Sequence, residues 1–336
     1  MKKIYRLLSS FFPGAIKASL SWKWGMLKYL VKHSWITPRR EGDFKMAEDF
    51  FLNYHALDEA ARAEKLGRLT IGLDEESVNT VKLVLDRQRY VFTHDILALK
   101  SAYTAEERKM QSQYYRELGK VRRSCLDKDF HHFSSEAFIF LGGLPFFSES
   151  VQDRLRAGTI IDGGAYSGDS ALSLCRHYSE ATVFAFEPEP KNYERLIKNT
   201  ASEARIVPVD LALGNGIRTE LFLASDGASS RVASGGSSLK KVKAIALDAF
   251  VAERGILRVD GIKLDLEGFE QEALKGMADC LRQWRPCLVI SIYHSASDFF
   301  TIKTMIEEQG LGYRFRIAKV NPFSLAQEVM LLAYPA

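Results

Sequence analysis

The stretch Ile160-Ile161-Asp162-Gly163-Gly164-Ala165-Tyr166-Ser167-Gly168-Asp169, followed by Phe184-Ala185-Phe186-Glu187-Pro188, constrains this chain more than any other. Thr159 to Ile161 lacks the polar alternation of a half-exposed strand, as a parallel strand covered on both faces would. Gly163 and Gly164 permit a tight turn and let the backbone approach a ligand closely. Over Ser170 to Tyr178, Ala171, Leu172, Leu174 and Cys175 recur at helical spacing, so the amides of a helix N-terminus face the turn. Thr182 to Phe186 is a second buried run and ends in Glu187. A carboxylate at that place can accept hydrogen bonds from both hydroxyls of a ribose. The pattern predicts an α/β sheet with a nucleotide-type cofactor site.

The glycine spacing selects the cofactor. A dinucleotide fingerprint, G-x-G-x-x-G, holds a pyrophosphate against a helix N-terminus. Here Gly164 and Gly168 stand wider apart, and Asp162 precedes the glycines. A carboxylate there opposes a pyrophosphate, yet it can support the ammonium end of a methionine moiety, directly or through water. The residues therefore favour S-adenosylmethionine. Asp162, Gly163, Gly164, Gly168 and Glu187 are the candidate cofactor residues, with Asp210 as an adenine contact. Asp169 and Ser170 are read either as further contacts or as caps of the helix.

The rest of the chain divides in two. Residues 1–130 read as a helical N-terminal extension and residues 134–336 as the cofactor-binding domain. The first forty residues hold nine Lys or Arg and no Asp or Glu. Ile16, Leu20, Trp24, Leu27, Leu30 and Val31 share one helical face there, flanked by Lys17, Lys28 and Lys32. Such a face either packs on the protein's own core or a subunit partner, or lies on an anionic membrane surface. Residues 43–120 look helical, with Asp74 capping a run that aligns Val78, Val81 and Leu85, and Thr104 opening a capping box. The adjacent His131 and His132 are read as a solvated or core pair.

From about residue 134 strands and helices alternate. Short strands are expected at Ala137–Leu141, Arg205–Val209, Ile262–Leu266, Cys287–Tyr293, Tyr313–Ala318 and Val329–Ala333. Arg218–Leu223 and Lys240–Ala246 read as a hairpin insertion separated by a Gly/Ser-rich loop, Ser225 to Ser238. In that loop Ser229 and Ser230 are read as solvated in preference to approaching either ligand.

A net charge of +4 is too small to imply nucleic acid. Cys125, Cys175, Cys280 and Cys287 are scattered without a C-x-x-C pair, so neither a disulfide framework nor a zinc site is expected, and no metal is assigned. No apolar run is long enough to span a bilayer, and the Lys2–Lys3 start lacks a signal-peptide cleavage site, so the expected location is cytoplasmic.

Together these residues resemble the FkbM family of S-adenosylmethionine-dependent methyltransferases over roughly 134–334. The resemblance rests on Ile161 through Ser170, on Phe186-Glu187-Pro188, on Asn199, on Asp265-Leu266-Glu267-Gly268 with Glu270, and on Ser291-Ile292-Tyr293-His294. It implies a class I, Rossmann-like sheet of seven strands with the last antiparallel, and methylation of a hydroxyl on a sugar, glycan or related metabolite. Gly163 departs from the valine common at that position. Residues 1–120 lie outside the resemblance.

Methyl transfer from a sulfonium to a hydroxyl is an in-line displacement in which a base accepts the hydroxyl proton. Catalytic groups of such sheets lie beyond the carboxyl ends of the strands. Asp265 and Glu267 after the fourth core strand, and His294 after the fifth, are the candidates there. Asp265 and Glu267 flank Leu266 and can point the same way, with Glu270 close by. Glu267 and Glu270 are read alternatively as caps of the following helix. Lys263 is expected to pair with a carboxylate. Two other functions stay open: a dinucleotide-dependent oxidoreductase, against which the glycine spacing counts, and a catalytically inactive methyltransferase-fold scaffold.

Overall fold

The computed structural model describes residues 46–93, 103, 141–217, 219–226, 229–232, 239–321 and 327–335. The basic segment 1–40, the Thr104 box, Cys125 and the His131–His132 pair lie outside the described residues.

Seven strands make the main sheet: β1 (Thr159–Gly163), β2 (Thr182–Phe186), β3 (Ile206–Val209), β8 (Gly261–Leu264), β9 (Cys287–Ser291), β10 (Tyr313–Lys319) and β11 (Val329–Pro335). Their order is β10-β11-β9-β8-β1-β2-β3. β11 runs antiparallel to both its neighbours, and the other pairings are parallel. This is the expected seven-stranded sheet with its last strand reversed. β1, β8 and β9 sit at its centre, and their near-continuous burial explains why they read as unbroken apolar runs.

Helices connect the parallel strands. The ones that matter for the site are α4 (Asp169–His177), α5 (Pro190–Thr200), α7 (Glu270–Lys275) and α9 (Ala296–Glu307). Pro190 opens α5, where its missing N–H costs nothing, and Glu189 accepts from the Asn192 amide at 2.9 Å to cap it. Phe184 and Phe186 of β2 meet Phe250 edge-on, with centroids 5.7 and 4.8 Å away.

Several boundaries differ from expectation. β8 stops at Leu264 and β9 at Ser291, two residues earlier than their apolar runs suggest. Leu141 opens a 3-10 helix, Leu141–Phe146, in place of the end of a strand. The insertion is a second sheet of four strands, β4 (Ala212–Leu213), β5 (Thr219–Asp226), β6 (Ser229–Val232) and β7 (Leu239–Ile245), in the order β4-β7-β5-β6. β5 and β7 pair antiparallel as the hairpin reading requires. The stretch read as a Ser/Gly loop nonetheless contains β6, which pairs with β5 in register Ser229↔Asp226 to Val232↔Leu223.

The N-terminal helices α1 (Glu59–Thr70) and α2 (Glu75–Thr93) cover one end of the sheet. Asp74 caps α2 as expected, accepting from the Ser77 amide at 2.7 Å. Val81 and Leu85 are buried and Val78 half-buried. Phe50 meets Phe299 edge-on, and Tyr54 stacks on Phe300, both of α9. Cys175, Cys280 and Cys287 are free and buried. Among the described residues no helix is long and apolar enough to cross a membrane.

Candidate functional site

The turn after β1 lies between three strands. In register, Gly163 stands beside Phe186 of β2 and beside Leu264 of β8. Gly164 and Ala165 both donate their amides to Phe186 O, at 3.1 and 2.9 Å. Gly164 has φ +77°, and a Cβ there would stand 2.0 Å from the carbonyl oxygen of Asp265. Its conformational freedom is therefore used by a close approach of two loops, not only by a ligand. Gly168, at φ +93°, caps α4, and a Cβ on it would press into Thr200 and Leu196 of α5. Tyr166 also has positive φ, 47°. Asn199 Nδ2 donates to Ser167 O at 2.8 Å and ties the turn to α5.

Glu187 closes this turn. Its Oε2 accepts from the Tyr166 amide and its Oε1 from the Glu189 amide, each at 2.9 Å. Each oxygen retains a lone pair, the capacity a ribose diol needs. Burial pushes the carboxyl up to about 7, against the lowering effect of those two amide bonds. Asp210 stands exposed just past β3, near enough to Tyr193 to act on its hydroxyl. Lys240 of β7 pairs with Glu189, so the inserted sheet reaches this edge.

Asp162 is fully buried; Ser170 donates to its Oδ2 at 2.6 Å and Lys263 Nζ stands 3.1 Å from its Oδ1. The β1–β8 register puts Asp162 opposite Lys263 and so places both side chains on one face. Lys263 also donates to Gly164 O at 3.2 Å. Burial works against its charge, but Asp162 and then Asp265 outweigh that and hold the ammonium well above its usual range. Lys263 thus has the carboxylate partner expected of it. Ser170 spends its hydroxyl on Asp162 rather than on capping α4. Asp162 and Lys263 together brace the turn from behind.

The second half of the site lies where β8 and β9 end. The chain after Leu264 turns sharply, with Glu267 at φ +55° and Gly268 at φ +97°. Glu270 holds that turn: Oε1 accepts from the Leu266 amide at 2.7 Å and Oε2 from the Gly268 amide at 3.0 Å. His294 is buried beneath, its Nδ1 2.9 Å from Glu270 Oε1. Its Nε2 faces Asp265 Oδ1 at 3.5 Å and Glu267 Oε2 at 3.8 Å. Asp265 and Glu267 both face His294, but through a turn with left-handed backbone rather than through the alternation of a continued strand.

Burial alone would lower the His294 pKa. The carboxylates of Glu270, Asp265 and Glu267 overcome it and push the ring up to about 10. At neutral pH the imidazole in this setting carries a proton and is a poor acceptor of another. Asp265 and Glu267 are each about one-third exposed. Glu270 is fully buried with both oxygens occupied. Its bracing role was not legible in the sequence as distinct from helix capping, because the signal is the same: an acid at the start of a helix.

Comparison with known proteins agrees with the fold. Residues 162–315 match the family model of the methyltransferase FkbM domain. Over 152 residues the chain is 29% identical to the hexuronic acid methyltransferase AglP of Haloferax volcanii, covering 44% of this chain and 61% of that protein. It is 24% identical over 178 residues to Methyltransferase 1 of Beauveria bassiana, covering 46% of this chain and 72% of the other. Among solved structures, the FkbM methyltransferase of Methylobacillus flagellatus superposes with a TM-score of 0.54 at 18% identity, over 82% of this chain and 59% of that one. The chain thus spans about three-fifths of AglP and of the Methylobacillus protein.

Proposed function

We propose that this chain, whose residues 162–315 match the FkbM methyltransferase domain, is an S-adenosylmethionine-dependent O-methyltransferase whose acceptor is a hydroxyl of a sugar, glycan or related metabolite. One observation carries the reading. The turn that would hold the cofactor touches the loop that bears the acidic cluster, Gly164 against the Asp265 carbonyl. Cofactor and acceptor can therefore meet at one sheet edge, beyond the carboxyl ends of β1 and β8.

The residues fit the cofactor. Glu187 offers two buried, oriented oxygens to a ribose diol, and the turn at Gly164 to Gly168 offers backbone to the methionine end. Asp162 acts behind that turn by holding Lys263. When bound, the cofactor supplies an electrophilic methyl group on a positively charged sulfur. The protein's task is then orientation and proton removal. Asp265 or Glu267 takes the hydroxyl proton as the acceptor oxygen attacks. The His294 cation faces both carboxylates from one ring nitrogen and helps to fix their direction. Asp49, from the N-terminal helical segment, accepts from the Ala296 amide at 2.6 Å, two residues from His294. That contact supports acceptor selection by the helical extension, as does the sugar-directed activity named for AglP.

Calorimetric titration with S-adenosylmethionine and S-adenosylhomocysteine, with NAD as control, tests the reading. Micromolar binding of the sulfonium pair alone is expected. Binding of NAD in their place would overturn it and restore the oxidoreductase reading.

A further inference from the structure

Two buried carboxylates, Glu187 and Glu189, stand two residues apart at the cofactor edge. Glu189 holds Glu187 through its own backbone: its amide donates to Glu187 Oε1 at 2.9 Å. The Glu189 side chain has two partners of its own. Oε2 accepts from the Asn192 amide at 2.9 Å, and Oε1 accepts from Lys240 Nζ. Lys240 comes from outside the main sheet. It lies near the start of β7, in register with Leu223 of β5, and the far end of β7 pairs with β4, which follows β3 in the chain. Like charges this close oppose each other's ionisation. Burial raises the Glu187 carboxyl most, and the charge of Glu189 adds to that, against the Glu189 and Tyr166 amides and the Asn192 side chain. Burial also works against the charge of Glu189, but Lys240 and the Asn192 amide outweigh it and hold that carboxyl below its ordinary range. A buried charge deprived of its partner is strongly unfavourable, so the ammonium matters more here than in an ion pair on the surface.

We propose that Lys240 is a positioning residue for cofactor binding: it neutralises Glu189, and so lets Glu187 carry the negative charge and keep the orientation that a ribose diol requires. It acts through Glu189, by charge and by holding the residue whose amide holds Glu187. Without the ammonium, the Asn192 amide and the positive end of α5 still favour the Glu189 anion. The penalty then falls on Glu187, the carboxyl of the two that gives up its proton less readily. Coupling between sites is reciprocal. If the grip of Lys240 raises affinity for the cofactor, bound cofactor strengthens that grip by the same factor. The inserted sheet, which has no assigned catalytic group, is thereby linked to occupancy of the cofactor site. The ribose contact of Glu187 rests on the methyltransferase reading; the coupling of the three charges does not.

The test uses the full chain with isotope-labelled glutamate carboxyl carbons, the Glu187 signal being assigned by its loss in Glu187→Gln. Nuclear magnetic resonance of the unliganded protein gives the Glu187 titration midpoint, and calorimetry gives S-adenosylhomocysteine affinity over the same pH range. Lys240→Met should raise the midpoint by at least about half a pH unit and weaken S-adenosylhomocysteine binding at about pH 7 at least about twofold. Lys240→Arg should keep both near their wild-type values. Glu189→Gln leaves the ammonium without its carboxylate and should lower the midpoint. Lys240→Met combined with Glu189→Gln should cancel the rise. The thermal midpoint reports folding of each variant, and Glu189→Gln reads the same coupling in the opposite direction if Lys240→Met does not fold. An unmoved Glu187 midpoint in folded Lys240→Met or Glu189→Gln, or a rise that persists in the double variant, would overturn the proposal. Midpoints that move as stated, in protein that binds no S-adenosyl compound, would support the charge coupling and overturn the reading of Glu187 as a cofactor residue instead.

Discussion

At the scale of single residues, adjacent glycines have different reasons to be glycine. Gly163 keeps ordinary backbone, and a Cβ on it would meet the side-chain ends of Leu213 and Leu264 at 3.0 Å and the Lys263 carbonyl at 3.2 Å. Those methyls can shift. Gly164 combines positive φ with a carbonyl oxygen 2.0 Å from the would-be Cβ, and two backbones cannot part cheaply. Gly163→Ala should cost about 1–2 kcal/mol and Gly164→Ala at least about 3 kcal/mol in urea unfolding. Equal costs would show that the loop contact is not the constraint. Glu187 makes a second prediction. Its folded pKa of about 7 lies above the ordinary 4.5. The unliganded fold therefore binds more protons than the unfolded chain between those values, and this group's contribution to stability falls as pH rises through that window. A ribose diol needs the ionised form. From about pH 6 to about pH 8 the ionised fraction rises about tenfold, and S-adenosylhomocysteine affinity should rise with it. Glu187→Gln should bind weakly and without that slope; an unchanged slope would assign the titration to another group.

At the scale of elements, the sequence showed what depends on local burial and hid what depends on register. β1, β2 and the turn between them were legible because a strand covered on both faces has no polar alternation. The ends of β8 and β9 were not. Leu266 and Tyr293 are apolar, and nothing local marks where their strands release them. β6 was hidden because Ser229 and Ser230 resemble loop residues, and only pairing with β5 makes them a strand. The Asp162–Lys263 pair needed the β1–β8 register, although each residue was singled out alone. The meeting of Asp265, Glu267 and His294 was expected from strand ends, but the turn that brings it about was not. α2 illustrates an element whose function is positional. β10 is an edge strand of the sheet, and an uncovered strand edge invites pairing with another chain. Ser77, at the start of α2, accepts the Ile317 amide at 2.9 Å, and Arg316 pairs with Glu76 while donating to Phe146 O at 3.1 Å. Ser77→Ala leaves a buried amide without its acceptor and should cost about 1–3 kcal/mol in chemical denaturation. A loss below about half a kcal/mol would mean that the edge is held by α2 packing alone.

At the scale of the whole molecule, the sequence divided the chain near residue 130, but the described structure packs both parts into one core. Met46, Phe50, Tyr54, Leu69, Val81, Val84 and Leu85 join the same buried cluster as the strands of the central sheet. Phe299 and Phe300 of α9 lie between the N-terminal helices and the sheet, and Phe50 and Tyr54 cover them. Removing residues 46–93 would expose those rings and the edge of β10 together. Truncating one large buried aromatic costs about 3–5 kcal/mol, a large part of the stability of an ordinary domain. The two parts should therefore unfold as one. Urea titrations followed by tryptophan fluorescence and by far-ultraviolet circular dichroism should give coincident midpoints, since two probes of one cooperative transition must agree. A chain beginning at residue 134 should fail to give a protein that binds S-adenosylhomocysteine. Separate midpoints, with a stable and binding-competent fragment, would show that the sheet domain stands alone. The helices would then be an attachment whose only task is selection of the acceptor. A single transition would instead mean that the segment holding the Ala296 amide through Asp49 is also part of what keeps the sheet folded. Substitutions there would then have to be tested for stability before any change in acceptor preference was assigned to them.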